Sequence, residues 1–146
     1  MNFQVLNFYN KDTQITKKYL CKKNGGENKS PHVIWKKIPD AKSYSLIMED
    51  TQSVNGTTIH WFIPTIYNGK NIYGLNFYNK FGWYGPCPPS NTGIHKYVFV
   101  LYSLDQKFDY NIEKPIESSK QYEQILKNNN ISILNKETVT FDYNTN

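Results

Sequence analysis

Two stretches of the chain are apolar almost without interruption, and they constrain the fold more than any other feature of the sequence. SYSLIMED occupies residues 43–50, and KYVFVLYSLD occupies residues 96–105. Apolar runs of this length are typical of central strands that are covered on both faces. ETVTFDY at 137–143 alternates between polar and apolar residues instead, as an outer strand with one solvated face does. The pattern predicts a sheet with material packed on both sides.

Shorter strand-like runs recur along the rest of the chain. Together with the two apolar runs they predict strands at 3–8, 15–21, 43–50, 58–64, 72–78, 96–104 and 131–142. Segments rich in Gly, Asn, Pro and Asp separate these runs and predict turns at 24–28, 38–42, 53–56 and 68–71. Many short strands joined by turns indicate an all-β or mostly β architecture.

One helix is predicted near the C-terminus, over SSKQYEQILK at 118–127. Tyr122, Ile125 and Leu126 share one face of such a helix, and Ser118 and Gln121 have the spacing of a capping box. The asparagines at 128–130 are expected to end it. We therefore expect a mainly β, antiparallel fold with a short C-terminal helical element, formed by one domain over residues 1–146.

The amino-acid composition favours some fold classes and argues against some kinds of binding partner. The chain has 12 Tyr, 8 Phe and 3 Trp but a single alanine, Ala41, which favours a β fold over a helical bundle. Its net charge is +5, and all 17 basic residues are lysine. Arginine is the usual bidentate reader of phosphate and guanine, so its absence argues against nucleic-acid binding. An Asn-, Ile- and Lys-rich chain without arginine is also typical of AT-rich genomes, such as those of parasites, low-GC bacteria and large DNA viruses.

The expected location is the cytoplasm, or the host cytoplasm or virion if the source is viral. MNFQVLNFYN at the N-terminus has no signal-peptide core, and no apolar run is long enough to cross a membrane. The two cysteines, Cys21 and Cys87, are not spaced as a metal motif.

A proline-rich segment, GPCPPSNTGIHKY at 85–97, stiffens the chain directly before the second apolar run. Proline fixes the backbone dihedral φ and offers no N–H group, so Pro86, Pro88 and Pro89 form a loop that cannot collapse inwards. Histidine changes charge near neutral pH, and His95 follows this loop. The arrangement predicts a rigid rim that presents a histidine to a pocket.

This segment and three others resemble, in their order along the chain, the phosphatidylethanolamine-binding proteins, which are also called Raf kinase inhibitor-like proteins. The resemblance is to their compact bacterial branch, and the tail at 122–143 is similar to its closing helix and strand. The matching motifs are SP followed by Trp35, SLIMED ending at Asp50, HW at 60–61, GPCPP at 85–89, and GIHKY at 93–97.

The resemblance implies a Greek-key antiparallel β-sandwich with a small pocket at one end, which holds phosphate-like and carboxylate anions. Carried over position by position, the ligand-binding residues are Asp50, His60, Gly85, Pro86, Cys87, Pro88, Pro89, His95 and Tyr97. Trp35 and Trp61 are expected in the core. The resemblance also places the two cysteines near the pocket, where Cys21 and Cys87 could approach each other. In a reducing compartment we expect them as free thiols.

One segment departs from the family pattern. DTQSV at 50–54 stands where the family usually has Asp-Pro-Asp-Ala-Pro, so Asp50 is kept, Gln52 replaces the second acid, and both prolines are missing. Lys96 replaces the usual arginine. We expect these changes to alter the affinity and selectivity of the pocket and to leave the fold intact.

The function that follows is that of a non-catalytic binding or regulatory protein for a phosphate-like anion or phospholipid headgroup, with no cofactor and no metal. Two alternatives remain. The rim at 51–57 and 84–93 could bind a protein partner, as in kinase-inhibiting and protease-inhibiting relatives. Asp50, His60 and His95 could form a hydrolytic site or a metal site. The sequence has no nucleophile elbow, no H-E-x-x-H and no phosphate-binding glycine loop, which argues against an enzyme. The sequence also leaves open whether the protein forms a homodimer.

Overall fold

The two apolar runs form the centre of a four-stranded antiparallel sheet. In the computed structural model, which describes residues 3–9, 14–54, 56–67, 82–111 and 114–146, the strand order of this sheet is β4-β3-β5-β6. The strands are β3 (Ser43–Ser53), β4 (Gly56–Ile66), β5 (Ile94–Leu104) and β6 (Ile133–Asn144). The first eight residues of β3 are all buried, whereas β6 alternates between half-buried and exposed residues. The central and outer strands are therefore those that the hydrophobic patterns predicted.

Alternation along the strands divides the core into two layers, one on each face of the sheet. One layer contains Leu46, Met48, Trp61 and Phe99, and the other contains residues such as Ile47. The first layer packs against the N-terminal segment, in which β1 (Gln4–Leu6) and β2 (His32–Ile34) form a two-stranded antiparallel sheet. This two-layer, mainly β arrangement confirms the predicted fold class. Trp35 and Trp61 lie in the core, as expected.

The second layer is covered by the helix α1 (Ser119–Asn128), whose Tyr122 and Leu126 are fully buried. The backbone N–H of Gln121 donates to the Ser118 side chain at 3.1 Å, so Ser118 is the predicted N-cap. Glu49, a buried carboxylate on β3, accepts from Ser119 N at 3.0 Å and from Ser119 Oγ at 2.5 Å. A carboxylate is favourable at a helix N-terminus, so Glu49 fixes the helix to the sheet.

The predicted strand at 15–21 is wrong. Ile15 makes an isolated bridge with Tyr9, and the chain then forms two single turns of 3-10 helix at Lys17–Tyr19 and Lys22–Asn24. The apolar residues of this run are buried in the first core layer, but they lack a ladder of strand partners in the described part of the chain. The apolar residues at 15–21 are therefore apolar because they are buried, and not because they form a strand.

The other predicted elements agree to within a few residues, except the strand at 72–78 and the turn at 68–71, which lie outside the described residues. No helix among the described residues is long and apolar enough to cross a membrane.

Candidate functional site

A cavity of about 220 Å³ opens beside the proline-rich loop, at the edge of the sheet where β3 ends and where β4 and β5 begin. Seven of the nine residues predicted for the pocket line it, and Gly85 and Pro86 do not. The described residues of its lining are Asp50, Ser53, Val54, Thr58, His60, Tyr84, Cys87, Pro88, Pro89, His95 and Tyr97. Strand register brings these residues together, because Asp50 on β3 pairs with Tyr97 on β5 and with Thr58 on β4.

A buried carboxylate and a buried imidazole form the floor of this cavity. Asp50 and His95 are 3% and 2% exposed, and the His95 Nδ1–H donates to Asp50 Oδ2 at 2.7 Å. The other carboxylate oxygen, Oδ1, accepts from the backbone N–H of Gln52 at 2.8 Å. Asp50 therefore holds a proton on His95 Nδ1 and fixes the orientation of the ring.

The second ring nitrogen of His95 is also held by the protein. Its Nε2 lies 2.7 Å from Thr92 Oγ1, and Thr92 Oγ1 donates to the carbonyl oxygen of Pro89 at 2.7 Å. Both ring nitrogens of His95 therefore lie in hydrogen bonds to protein groups, and neither is left to contact a ligand directly.

His60 presents a free ring nitrogen. Its Nδ1–H donates to the carbonyl oxygen of Tyr84 at 2.7 Å, and its Nε2 has no hydrogen-bond partner among the residues that the structure describes. The ring contacts Tyr84 and Tyr97 edge-on, each at 5.5 Å between centroids. Since His60 lines the cavity and its Nδ1 is engaged, Nε2 is the nitrogen available to a ligand.

Burial lowers the pKa of His60 below the ordinary value for histidine. The Tyr84 carbonyl and the Asp50 carboxylate raise this pKa, but by less than burial lowers it, and His95 lowers it further. In the neutral ring, Nε2 carries a lone pair towards the cavity and can only accept a hydrogen bond. None of the described lining residues is a lysine. With its Nδ1–H engaged, His60 has to take up a proton before its Nε2 can donate to an anion.

The three ionisable side chains do not form a metal site. In the described part of the chain no group of three or more His, Cys, Asp or Glu side chains is arranged to hold a metal ion. The alternative of a two-histidine, one-carboxylate metal centre therefore has no geometric support.

The proline-rich loop is the cavity wall, held from behind by residues 21–28. Gly85 N donates to Asn28 Oδ1 at 2.7 Å, and Cys21 N donates to the Pro86 carbonyl at 3.1 Å. A Cβ on Gly85 would lie 2.4 Å from the Tyr19 carbonyl oxygen, so only glycine allows the loop to approach this closely. Gly85 and Pro86 thus support the wall without facing the cavity.

Cys21 and Cys87 form a disulfide across this contact, with 5.4 Å between their Cα atoms. The expectation that they approach each other is confirmed, and the expectation of free thiols is wrong for this structure. The packing of residues 19–21 against Gly85 and Pro86 brings them together, and the sequence alone does not reveal that contact.

Several features of the cavity were not predicted. Thr92 lies three residues before His95, across a turn in which Gly93 has φ 86°, and a hydroxyl at that spacing is the signal that could have found it. Tyr84 accepts from His60 through its backbone carbonyl, and no side-chain pattern in the sequence indicates such a bond. Ser53, Val54 and Thr58 come from the β3–β4 hairpin and line the cavity. Gln52 is exposed and is not among the lining residues, so its amide does not replace an acid inside the cavity.

Sequence comparisons find relatives in bacteria and archaea. The family model described as phosphatidylethanolamine-binding protein matches residues 7–144. A UPF0098 protein of Aquifex aeolicus is 33% identical over 107 residues, which cover 62% of this chain and 61% of that protein. A UPF0098 protein of Methanothermobacter thermautotrophicus is 34% identical over 118 residues, covering 69% of this chain and 75% of that protein. The chain thus spans less than two thirds of the Aquifex relative's length.

Solved structures show the same fold over almost the whole chain. CT736 of Chlamydia trachomatis, described as a homolog of phosphatidylethanolamine-binding protein, aligns with a TM-score of 0.66 at 25% identity, over 97% of this chain and 95% of that one. Escherichia coli YbcL, described as a new member of the mammalian PEBP family, aligns with a TM-score of 0.66 at 19% identity, over 97% and 96%. With the family model matched from residue 7 to residue 144, the chain belongs to the phosphatidylethanolamine-binding protein family.

Proposed function

We propose that this protein is a non-catalytic binding protein whose cavity takes one small oxyanion, either free phosphate or the phosphate of a phospholipid headgroup. The observation that carries the proposal is His60 Nε2, a ring nitrogen that lies in the wall of a small cavity and has no hydrogen-bond partner among the residues that the structure describes. Once protonated, this nitrogen becomes a donor, and a charge-assisted hydrogen bond to an anion is about twice as strong as a neutral one.

The size of the cavity limits what it can hold. At about 220 Å³ it has room for about seven water molecules, taking about 30 Å³ for each. Pockets that enclose drug-sized ligands start at about 300 Å³. A phosphate group fits this space, and the acyl chains of a phospholipid do not, so a lipid would place only its headgroup here.

The hydrogen bonds also favour binding over catalysis. Acid–base hydrolysis of a substrate needs a side chain free to accept a proton and another free to donate one. Asp50 is occupied by His95 and by the Gln52 N–H, and His95 is occupied on both nitrogens. Only His60 retains a free position, so we propose that Asp50, His60 and His95 do not act as a hydrolytic set.

Calorimetry with phosphate and with phosphoethanolamine at pH 6 tests the proposal. We expect both to bind the wild type, and both to bind His60→Ala about tenfold to a hundredfold more weakly. His32→Gln is the matched control, because His32 lies on β2 and does not line the cavity, and it should bind as the wild type does. Equal binding by His60→Ala and the wild type, or no binding by any of the three, would refute the proposed function.

A protein partner at the rim is a second candidate, supported by two exposed apolar side chains. Val54 is 65% exposed and Tyr84 is 59% exposed, and both stand at the edge of the cavity. Aromatic residues are enriched where protein interfaces form. If the rim is the functional surface, Tyr84→Ala should abolish regulation of a partner and leave phosphate binding unchanged, because the bond to His60 uses the backbone carbonyl of Tyr84.

A further inference from the structure

The two cysteines of the disulfide have different surroundings. Cys87 is half-buried and lines the cavity, whereas Cys21 is 6% exposed and does not. We propose that Cys87 is a thiol–disulfide exchange site that opens onto the cavity, and that a small thiol bound there as a mixed disulfide occupies the cavity. This inference concerns a covalent modification, and its chemical step does not depend on anion binding.

The surroundings decide which sulfur is attacked. Cys21 is buried, and its backbone is held in place: its N–H donates to the Pro86 carbonyl at 3.1 Å, and its carbonyl accepts from the N–H groups of Asn24 and Gly26 at 3.1 and 2.9 Å. A thiol that enters the cavity meets Cys87 and not Cys21. The accessible sulfur is the one attacked, because exchange requires the incoming thiolate to reach it.

The exchange is balanced without an added oxidant. The incoming thiolate forms a bond to Cys87 Sγ, the bond between Cys87 and Cys21 breaks, and Cys21 leaves as a thiolate that takes a proton from water. One disulfide is replaced by another. The reaction is reversible, since the Cys21 thiolate can attack the mixed disulfide and release the small thiol.

The cavity wall does not depend on the disulfide alone. Hydrogen bonds from Gly85 N to Asn28 Oδ1, from Cys21 N to the Pro86 carbonyl, and from Asn24 Nδ2 to the Pro88 carbonyl at 3.3 Å also join the loop to residues 21–28. Cys87 therefore keeps facing the cavity after the bridge opens. Because Cys87 and His60 line the same space of about 220 Å³, we expect a thiol attached to Cys87 to limit access to His60.

Two single-cysteine variants of the full chain test the difference in access. Cys21→Ser leaves Cys87 as the only thiol, and Cys87→Ser leaves Cys21. With dithiodipyridine as the probe, we expect Cys21→Ser to react at least about tenfold faster, since thiol reactivity follows exposure and thiolate character. In denaturant the two rates should converge, which shows that the fold causes the difference. Equal rates in the folded proteins, or faster reaction of Cys87→Ser, would overturn the proposal.

Wild-type protein gives a second test that needs no variant. After brief exposure to excess cysteamine and rapid alkylation, peptide mapping should find the cysteamine adduct on Cys87 and the alkyl group on Cys21. The reverse assignment, or no opening of the bridge unless the protein is unfolded, contradicts the mechanism.

Occupation of the cavity is measured by carbethoxylation of His60 in Cys21→Ser, with and without cysteamine attached to Cys87. His60 should be protected in the adduct, and in denaturant it should react equally in both proteins, which serves as the reference. Unchanged reaction of His60 would refute the occupation of the cavity. Failure of unmodified Cys21→Ser to bind phosphate would count against the proposed function and not against this site.

Discussion

Lowering the pH should strengthen anion binding in the cavity, because His60 has to gain a proton before it can donate to an anion. Burial lowers the pKa of His60, so the ring is neutral at pH 7 in the empty protein. The Asp50 carboxylate accepts from His95 Nδ1–H, and no described lining residue is a lysine. An anion next to His60 would raise the pKa of this ring again, so binding and proton uptake are linked.

The size of the effect follows from this linkage. Where the pH lies above the pKa of His60 in the empty cavity, each further pH unit costs about 1.4 kcal/mol of binding free energy, which is a factor of about ten in affinity. Between pH 8 and pH 7, both above the pKa of His60, the affinity should therefore rise by up to about tenfold, and it should go on rising below pH 7 until the pH reaches this pKa. The Kd plotted logarithmically against pH should have a slope close to one. Removing a hydrogen bond to a charged group costs about 1.5–3 kcal/mol, so His60→Ala should bind about tenfold to a hundredfold more weakly at pH 6.

Sulfate is the ligand for this assay, because its charge does not change over this pH range, whereas phosphate itself titrates. Calorimetry in two buffers with different ionisation enthalpies measures the protons taken up on binding, and we expect about one per sulfate at pH 7. His32→Gln should retain both the slope and the proton uptake. His60→Ala should lose both.

A flat pH profile in the wild type would refute the reasoning, and so would a sloping profile that persists in His60→Ala. In the first case the anion would be held by neutral groups, and in the second the titrating group would lie elsewhere.

Four other predictions follow from the same structure. Thr92→Val should lower the free energy of unfolding by about 1–3 kcal/mol, because it leaves the buried His95 Nε2 without its partner, and urea unfolding should show no such loss for the exposed Thr57→Val. Asp50→Asn should cost about 1.5–3 kcal/mol in the same assay, since the buried His95 Nδ1–H loses its bond to a carboxylate, and an unchanged free energy of unfolding would contradict this. Since the pKa of His60 is lower in the folded than in the unfolded chain, the contribution of His60 to stability should fall as the pH drops below about 6.5, and His60→Gln should unfold with a weaker pH dependence between pH 7 and pH 5. Protein alkylated at the moment of lysis should carry two alkylated cysteines if the chain resides in a reducing cytoplasm, and an intact Cys21–Cys87 bridge there would place it in an oxidising compartment.

The sequence by itself determined the central strands, the helix and the family. SYSLIMED and KYVFVLYSLD predicted β3 and β5 because a continuous apolar run must be buried on both faces wherever it lies. Ser118 and Gln121 predicted the start of α1, because capping is a local interaction within one turn. The order of the HW, GPCPP and GIHKY motifs was enough to indicate the cavity and most of its lining.

The tertiary structure alone decided what each of these residues does there. The bond between Asp50 and His95 joins positions 45 residues apart, and the disulfide joins positions 66 apart. Contacts of this range depend on strand register and loop packing, since a shift of one residue in β5 would turn His95 to the other face of the sheet. For the same reason the sequence motifs do not distinguish His60 from His95. In the folded chain Thr92 and Asp50 bind both nitrogens of His95, whereas Nε2 of His60 has no partner among the described residues.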